Sequence, residues 1–252
     1  MRRFSILLLL WLAGCGEAEA PQEPRTPLSE VAPESACRER SFESTRFTVC
    51  KFDAARDRLE LIGGQRSFAD LERSLGPRAS RLRFAMNAGM YDEAGAPIGL
   101  FVRDGNEEKS LNRREGAGNF HLMPNGVFAV DGEGGLSVTT SATFRKKVRS
   151  PIWATQSGPM LVIEGKLHPK FDENGESQLI RNGVGVADSR TAYFVLSEDP
   201  VSFGRFARLF RDELGCRNAL YLGGSVSSLW DPAGQRQDPH PELGPMVAVF
   251  RR

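Results

Sequence analysis

The chain has 252 residues, 40% of them apolar, enough for a sizeable core in one large domain or two small ones. A formal net charge of +1 argues against a dedicated nucleic-acid binder, so no nucleic-acid partner is expected. Sixteen Phe against three Tyr and three Trp point to aromatic packing inside the body rather than a base-stacking surface, and 26 Gly with 15 Pro fit many turns and short strands.

Arg2 and Arg3 precede an apolar run from Phe4 to Ala13, too short to span a bilayer and matching the h-region of a secretory signal peptide. The run ends in Leu12-Ala13-Gly14-Cys15, which resembles the lipobox of bacterial lipoproteins, where the Cys is acylated and becomes the first residue. The expectation is a signal peptide over residues 1–14 and a lipid anchor at Cys15. The alternative is an ordinary signal peptide with a chance Cys. By the same resemblance, Gly16 after the Cys places the chain in a Gram-negative envelope, on the periplasmic face of the outer membrane. Residues 16–36 carry four Pro, five Glu and no aromatic residue, a composition that builds no core. With Cys15 they read as a disordered tether ahead of one folded domain over 37–252.

Cys37 and Cys50 lie close together where the folded part begins, and export to an oxidising compartment makes a bridge between them the expectation. Cys216 is then single and buried; its pairing with Cys37 or Cys50 stays open. There is no Cys-x-x-Cys or His-x-x-x-His spacing, and His121, His168 and His240 are far apart, so neither a metal site nor a cofactor is expected.

Along the body, Phe47–Phe52 alternates as a strand, with Leu59–Ile62 as its expected partner. Ser67 suits the cap of a short helix running to Leu75 and halted by Gly76-Pro77. Arg81–Met86 alternates again and runs into Asn87-Ala88-Gly89-Met90. Further strands are expected at 98–102, 119–123, 126–130, 136–140 and 160–163, with turns at Asp104-Gly105-Asn106, Pro124-Asn125, 131–135 and Glu164-Gly165-Lys166. Arg145-Lys146-Lys147 and Arg149 read as a solvated loop. Val184–Ala187 and Thr191–Leu196 read as a hairpin. Phe203, Phe206, Ala207, Phe210 and Leu214 form one apolar stripe on a helix from Ser202 to Leu214, with Gly215 as its stop. Ala219–Leu222 is an uncharged run suited to a strand buried on both faces, ending in Gly223-Gly224-Ser225. The two glycines permit positive φ, which would turn successive N–H groups into one anion-binding hollow, with Ser225, Ser227 and Ser228 adding hydroxyls; a plain strand-to-loop turn is the alternative. Met246–Phe250 closes the chain as a strand. The class is α+β, a mixed, largely antiparallel sheet with few covering helices.

Four stretches occur in order: Met86-Asn87-Ala88-Gly89-Met90, Gln156-Ser157-Gly158-Pro159-Met160, Arg181-Asn182-Gly183-Val184-Gly185, and Asn218 to Trp230, with Asn119-Phe120 and Pro124–Phe128 between the first two. Together they resemble the phosphodiester glycosidase domain, over roughly residues 47–250. The resemblance implies hydrolysis of a sugar-1-phosphodiester, here in a cell-envelope glycan. It puts a family Asn-Gly-Gly-Phe-like turn on Asn87, Ala88, Gly89 and Met90, with Ala in place of the first Gly, a Gly-Pro-rich turn on Ser157, Gly158 and Pro159, an Arg on Arg181, and a Leu-Asp-Gly-Gly-Ser-like turn on Leu222, Gly223, Gly224 and Ser225. The family Asp position is Gly223.

A phosphodiester leaves without much help from an acid but needs a cationic clamp, and a guanidinium has the fork for it. The expected catalytic residues are Arg181, against a surface ion pair as the alternative, and Asn87, which would hold a sugar hydroxyl or merely close a turn. Expected substrate-binding residues are Gly89, Ser157, Gly158, Gly223, Gly224, Ser225 and Ser227. Attack at C1 normally wants a carboxylate. With Gly at 223, three readings stand open: Asp92, Asp188, Glu198 or Asp231 substitutes; the family Asp is structural; or the protein binds sugar phosphates or glycans without cleaving them. A structural envelope lipoprotein, whose turns are only turns, is a third class. The first two classes require Asn87, Ser157, Arg181 and Gly224 to converge on one cleft, whereas the last predicts scatter.

Overall fold

Most of the central strands are near-continuous apolar runs, which bury both faces of the strand, and the chain answers by wrapping three sheets around one centre. The structure, a computed structural model, describes residues 34–239 and 242–252. The expected signal peptide, the expected lipid anchor at Cys15 and the expected tether as far as residue 33 lie outside the described residues, as does His240. No helix among the described residues is long and apolar enough to cross a membrane.

The first sheet runs, in spatial order, Cys37–Phe42, Thr45–Asp53, Thr191–Ser197, Asn182–Asp188, Asn218–Gly223, Met160–Ile163 and Lys166–Leu167. The second runs Arg236–Gln237, Leu229–Asp231, Leu82–Asn87, Met246–Arg251 and Asp57–Ile62. The third runs Asn106–Lys109, Phe101–Arg103, Pro151–Ser157, Gly126–Asp131 and Leu136–Thr140. Neighbours in all three pair antiparallel among the described residues. The class is α+β, as the sequence reading has it.

The inner faces of the three sheets meet in one cluster. Phe194 lies at its middle, 5.6 Å from Phe84 of the second sheet and 5.6 Å from Phe128 of the third. Short helices cover the outer faces. Phe68–Leu75 lays Phe68, Leu71 and Leu75 on the second sheet, and Ser67 caps it by accepting from the Asp70 amide at 3.0 Å, a contact worth about 1 kcal/mol. Phe203–Arg208 continues into a wider turn over Leu209–Glu213 and lays Phe206, Ala207 and Phe210 on the first sheet. Along Asn218–Gly223, Leu220 and Leu222 face the common core while Ala219 and Tyr221 face that helix, so the strand is buried on both sides.

Several expectations are corrected. Thr45–Asp53 pairs with Cys37–Phe42 and Thr191–Ser197, and Asp57–Ile62 pairs with Met246–Arg251, not with its neighbour in sequence. Asn119–His121 is a tight 3-10 turn rather than a strand, because its backbone bonds fall to Gly118 and Asn119 instead of a ladder. Phe144–Lys147 forms a single helical turn within the basic cluster. Ser35 and Ala36, read as tether, join the body: the Ser35 hydroxyl donates to Asp231 at 2.6 Å and Ala36 is buried. Cys37 and Cys50 stand opposite each other across adjacent strands and are joined by a disulfide. Cys216 is free and buried.

Candidate functional site

A polar knot ties two of the sheets together beneath the Gly223-Gly224 turn. The Asn87 amide nitrogen donates to the Asn182 side-chain oxygen at 3.0 Å, and the Asn182 amide returns a bond to the Asn87 carbonyl at 2.8 Å. The Ser228 N–H donates to the Asn87 side-chain oxygen at 3.0 Å and the Ser227 hydroxyl to that of Asn182 at 3.2 Å. Asn87 ends a second-sheet strand and Asn182 begins a first-sheet strand. Asn87 is fully buried, and its side chain is committed to this knot, not to an Asx-turn.

The knot explains the glycine beside it. A Cβ at position 223 would lie 2.6 Å from the Asn87 amide nitrogen and 2.9 Å from the Asn182 oxygen, and one at 224 would lie 2.5 Å from the Tyr221 hydroxyl. Neither glycine has positive φ, which corrects the reason expected for them; close approach requires them, whereas Gly89, at φ 149°, does use the region open to glycine. Even so, the amides of Gly224, Ser225 and Val226 donate to no acceptor among the described residues, while the Ser227 N–H closes the turn on the Gly224 carbonyl at 2.7 Å.

These three residues border a pocket of about 430 Å³ whose lining also includes Gly89, Tyr91, Asn119, His121, Tyr221 and Gly223. None of its described lining residues is an Asp or Glu. The opposite wall, around Asn119–His121, is pinned from below. The Gln156 side-chain oxygen accepts from the Leu100 and Asn112 amides at 3.0 and 2.9 Å, and the Asn125 amide donates to the Phe120 carbonyl at 3.0 Å. Gly158 passes so close under this wall that a Cβ there would lie 2.9 Å from the Phe120 carbonyl oxygen.

Arg181 stands behind the pocket. It is fully buried, with Nε donating to the Val201 carbonyl at 2.8 Å and Nη2 to the Ser177 carbonyl at 2.9 Å. Its Cζ lies 3.6 Å from the centre of the Phe203 ring, and the Phe203 and Tyr221 rings meet edge to face at 4.9 Å. Nη1 completes no hydrogen bond. The charge is felt instead by the Tyr221 hydroxyl: burial lowers the Arg181 pKa, and no carboxylate offsets that, only Tyr221. Burial raises the Tyr221 phenol, opposed by Arg181 and Asn119. The guanidinium therefore lies behind Tyr221, its Cζ 5.7 Å from the centre of that ring, and does not line the pocket as the open clamp expected from the sequence.

Gly89, Gly223, Gly224 and Ser225 line the pocket. Asn87 and Ser227 lie in the knot beneath it, and Arg181 lies behind Tyr221. Ser157, buried with its hydroxyl unpaired, backs Gly89, whose Cβ would lie 3.9 Å from that of Ser157. Of the four diagnostic residues, Gly224 alone lines the cleft, and Asn87, Ser157 and Arg181 lie behind its wall. None of the substitute acids lines it. Asp92 holds its own turn through the Ala94 and Ala96 amides, Glu198 pairs with Arg236, and Asp231 binds Ser35 and Gly234. Asp188 lies at the far end of the Asn182–Asp188 strand, about 20 Å away at ~3.4 Å per residue. Tyr221, Asn182 and His121 were not foreseen as site residues: the first reads as one more apolar strand position, and the others acquire their role only from what folds against them. No cluster of metal-ligating side chains occurs among the described residues.

A larger hollow of about 640 Å³ opens elsewhere, among Asp57, Glu60, Arg78, Trp153 and Arg251. It contains none of the motif residues, and Arg78 is already neutralised by Glu60 at 2.7 Å. The smaller pocket, which the motif residues border, is therefore the candidate site.

Residues 80–247 match the family profile described as phosphodiester glycosidase. The chain is 37% identical over 173 residues to the uncharacterised protein YigE of Escherichia coli strain K12, a match covering 68% of this chain and 67% of that protein. Its fold is similar to the zebrafish N-acetylglucosamine-1-phosphodiester alpha-N-acetylglucosaminidase catalytic domain auto-inhibited by its pro-peptide (TM-score 0.58, 12% identity, 86% of this chain and 81% of that one). It is also similar to a hypothetical protein from Synechocystis (TM-score 0.55, 16% identity, 86% of this chain and 61% of that one).

Proposed function

We propose, on the premise that this chain belongs to the phosphodiester glycosidase family, that it is a hydrolase splitting a sugar-1-phosphodiester in a cell-envelope glycan. The observation that carries this reading is electrostatic. Among the described residues, three amides without an acceptor border one pocket that has no described carboxylate, and behind its Tyr221 lies a buried guanidinium that no described carboxylate pairs. Such a pocket favours a diester monoanion: the amides supply donors, Tyr221 can donate its O–H, and the buried charge is weakly screened. Its volume suits one sugar with its phosphate. Asn87 and Arg181 serve as positioning residues beneath and behind the contact surface. The Leu-Ala-Gly-Cys motif supports attachment to the envelope through Cys15, on the periplasmic face of the outer membrane. Metabolic labelling with an alkyne fatty acid checks this, since label retained in Cys15→Ser would reject the anchor.

A second reading, a silent sugar-phosphate or glycan binder, is favoured by Gly223, at the position where the family resemblance implies an Asp. Full-length chain in detergent, incubated with the methyl phosphodiester of α-N-acetylglucosamine-1-phosphate, separates the two. Release of free sugar supports the hydrolase. Binding without release, with turnover appearing in Gly223→Asp, supports the binder. The Asp side chain must push aside the Asn87–Asn182 bond to enter, so that variant also loses about 1–3 kcal/mol of stability.

A further inference from the structure

The described lining of the pocket holds three titratable side chains, Tyr91, His121 and Tyr221. Burial raises both phenols, and Tyr91 already donates to the Glu242 carbonyl. His121 is different. Its Nδ1 lies 2.7 Å from the Arg114 carbonyl oxygen. A carbonyl can only accept, so Nδ1 carries the proton and the neutral ring keeps its lone pair on Nε2. Nε2 has no hydrogen-bond partner among the described residues. The ring is also held in place: Phe120 meets it edge-on at 5.0 Å, and Gly116 passes so near that a Cβ there would lie 2.8 Å from Cδ2. An oriented imidazole with its free nitrogen unpaired, in a pocket whose described wall has no carboxylate, is the arrangement general-base catalysis needs.

We infer that His121 is the base of this pocket, taking at Nε2 a proton from the water that attacks C1 of the sugar. The inference rests on the hydrolase reading above. The water oxygen bonds to C1 as the bond between C1 and the phosphate oxygen breaks, and that bond's electron pair leaves on the phosphate. The products are a sugar hemiacetal and a phosphomonoester. The leaving phosphate needs no acid near neutral pH, because the second ionisation of a phosphomonoester lies near pH ~6. The proton on Nε2 passes to solvent, restoring the neutral ring. No oxidant, reductant or further co-reactant enters.

The test uses full-length chain in detergent with the same methyl phosphodiester. His121→Gln keeps a donor for the Arg114 carbonyl but removes the base, so kcat is expected to fall by about 10²–10⁴ with KM and melting temperature unchanged. In His121→Gly, added imidazoles should restore turnover, faster as the pKa of the imidazole rises. A His121→Gln enzyme as fast as the parent overturns the inference and leaves the hydrolase reading intact. Lost turnover that no imidazole restores overturns it too, assigning His121 a structural part. An unmodified chain that binds the diester and never cleaves it overturns the hydrolase reading, and the base with it.

Discussion

The centre around Phe194 and the knot around Asn87 and Asn182 are both buried, yet opposite forces hold them. At Phe194, ring meets ring from three sheets, and the contact is non-directional. At the knot, four hydrogen bonds between 2.8 and 3.2 Å fix two strand ends and one loop in a single register. An apolar centre tolerates small shifts; an amide pair does not, because each unmet donor or acceptor costs its full desolvation. The first therefore sets how stable the body is, and the second sets where the pocket wall stands.

The largest effect should come from Phe194→Ala. Removing the ring shared by all three sheets should cost about 3–5 kcal/mol, read from denaturant midpoints at constant m-value. Phosphodiester affinity per folded molecule should not change. A loss below ~1 kcal/mol would mean that the sheets do not rest on this ring. Asn182→Ala attacks the other region. It strands the Asn87 amide and carbonyl, costing about 1–3 kcal/mol, and also frees the wall at Gly223, so affinity should drop about tenfold. Affinity that survives this change breaks the distinction between the two regions. The smallest effect is at Cys216, in the apolar layer under the helix, where burial pushes the thiol from 9.0 up to about 12. Because the folded pKa lies above the unfolded one, the buried thiol's contribution to stability is whole below pH 9 and fades as pH climbs toward 12. Cys216→Ala should flatten that alkaline decline, and in the parent the thiol should resist a thiol reagent at pH 8 until the chain unfolds.

Much of the fold was legible because alternation is local. The cap at Ser67, the strands at 47–52, 81–86, 126–130 and 160–163, and the hairpin through 188–190 follow from short-range spacing and turn chemistry. Pro151–Ser157 was missed because its inner residues are Thr155, Gln156 and Ser157, whose polarity hides burial. Thr155 and Gln156 are buried by bonding backbone: Thr155 donates to the Ala88 carbonyl, and Gln156 holds Leu100 and Asn112. The four motifs lead to the neighbourhood of this pocket but not to its surface: Asn87 and Arg181 lie behind the wall, while Tyr221 and His121 stand in it.

The sequence by itself determined the strand-rich class, the cysteines at the entry to the body and the motifs that mark the family, because side-chain period, turn residues and short spacings are properties of neighbours along the chain. Only the tertiary structure decided which strands pair, which of two glycine duties position 223 performs, and which side chains face the pocket. Those depend on Gly89, His121 and Tyr221 arriving together from separate sheets and loops, and no local spacing encodes which side chain stands in front of another.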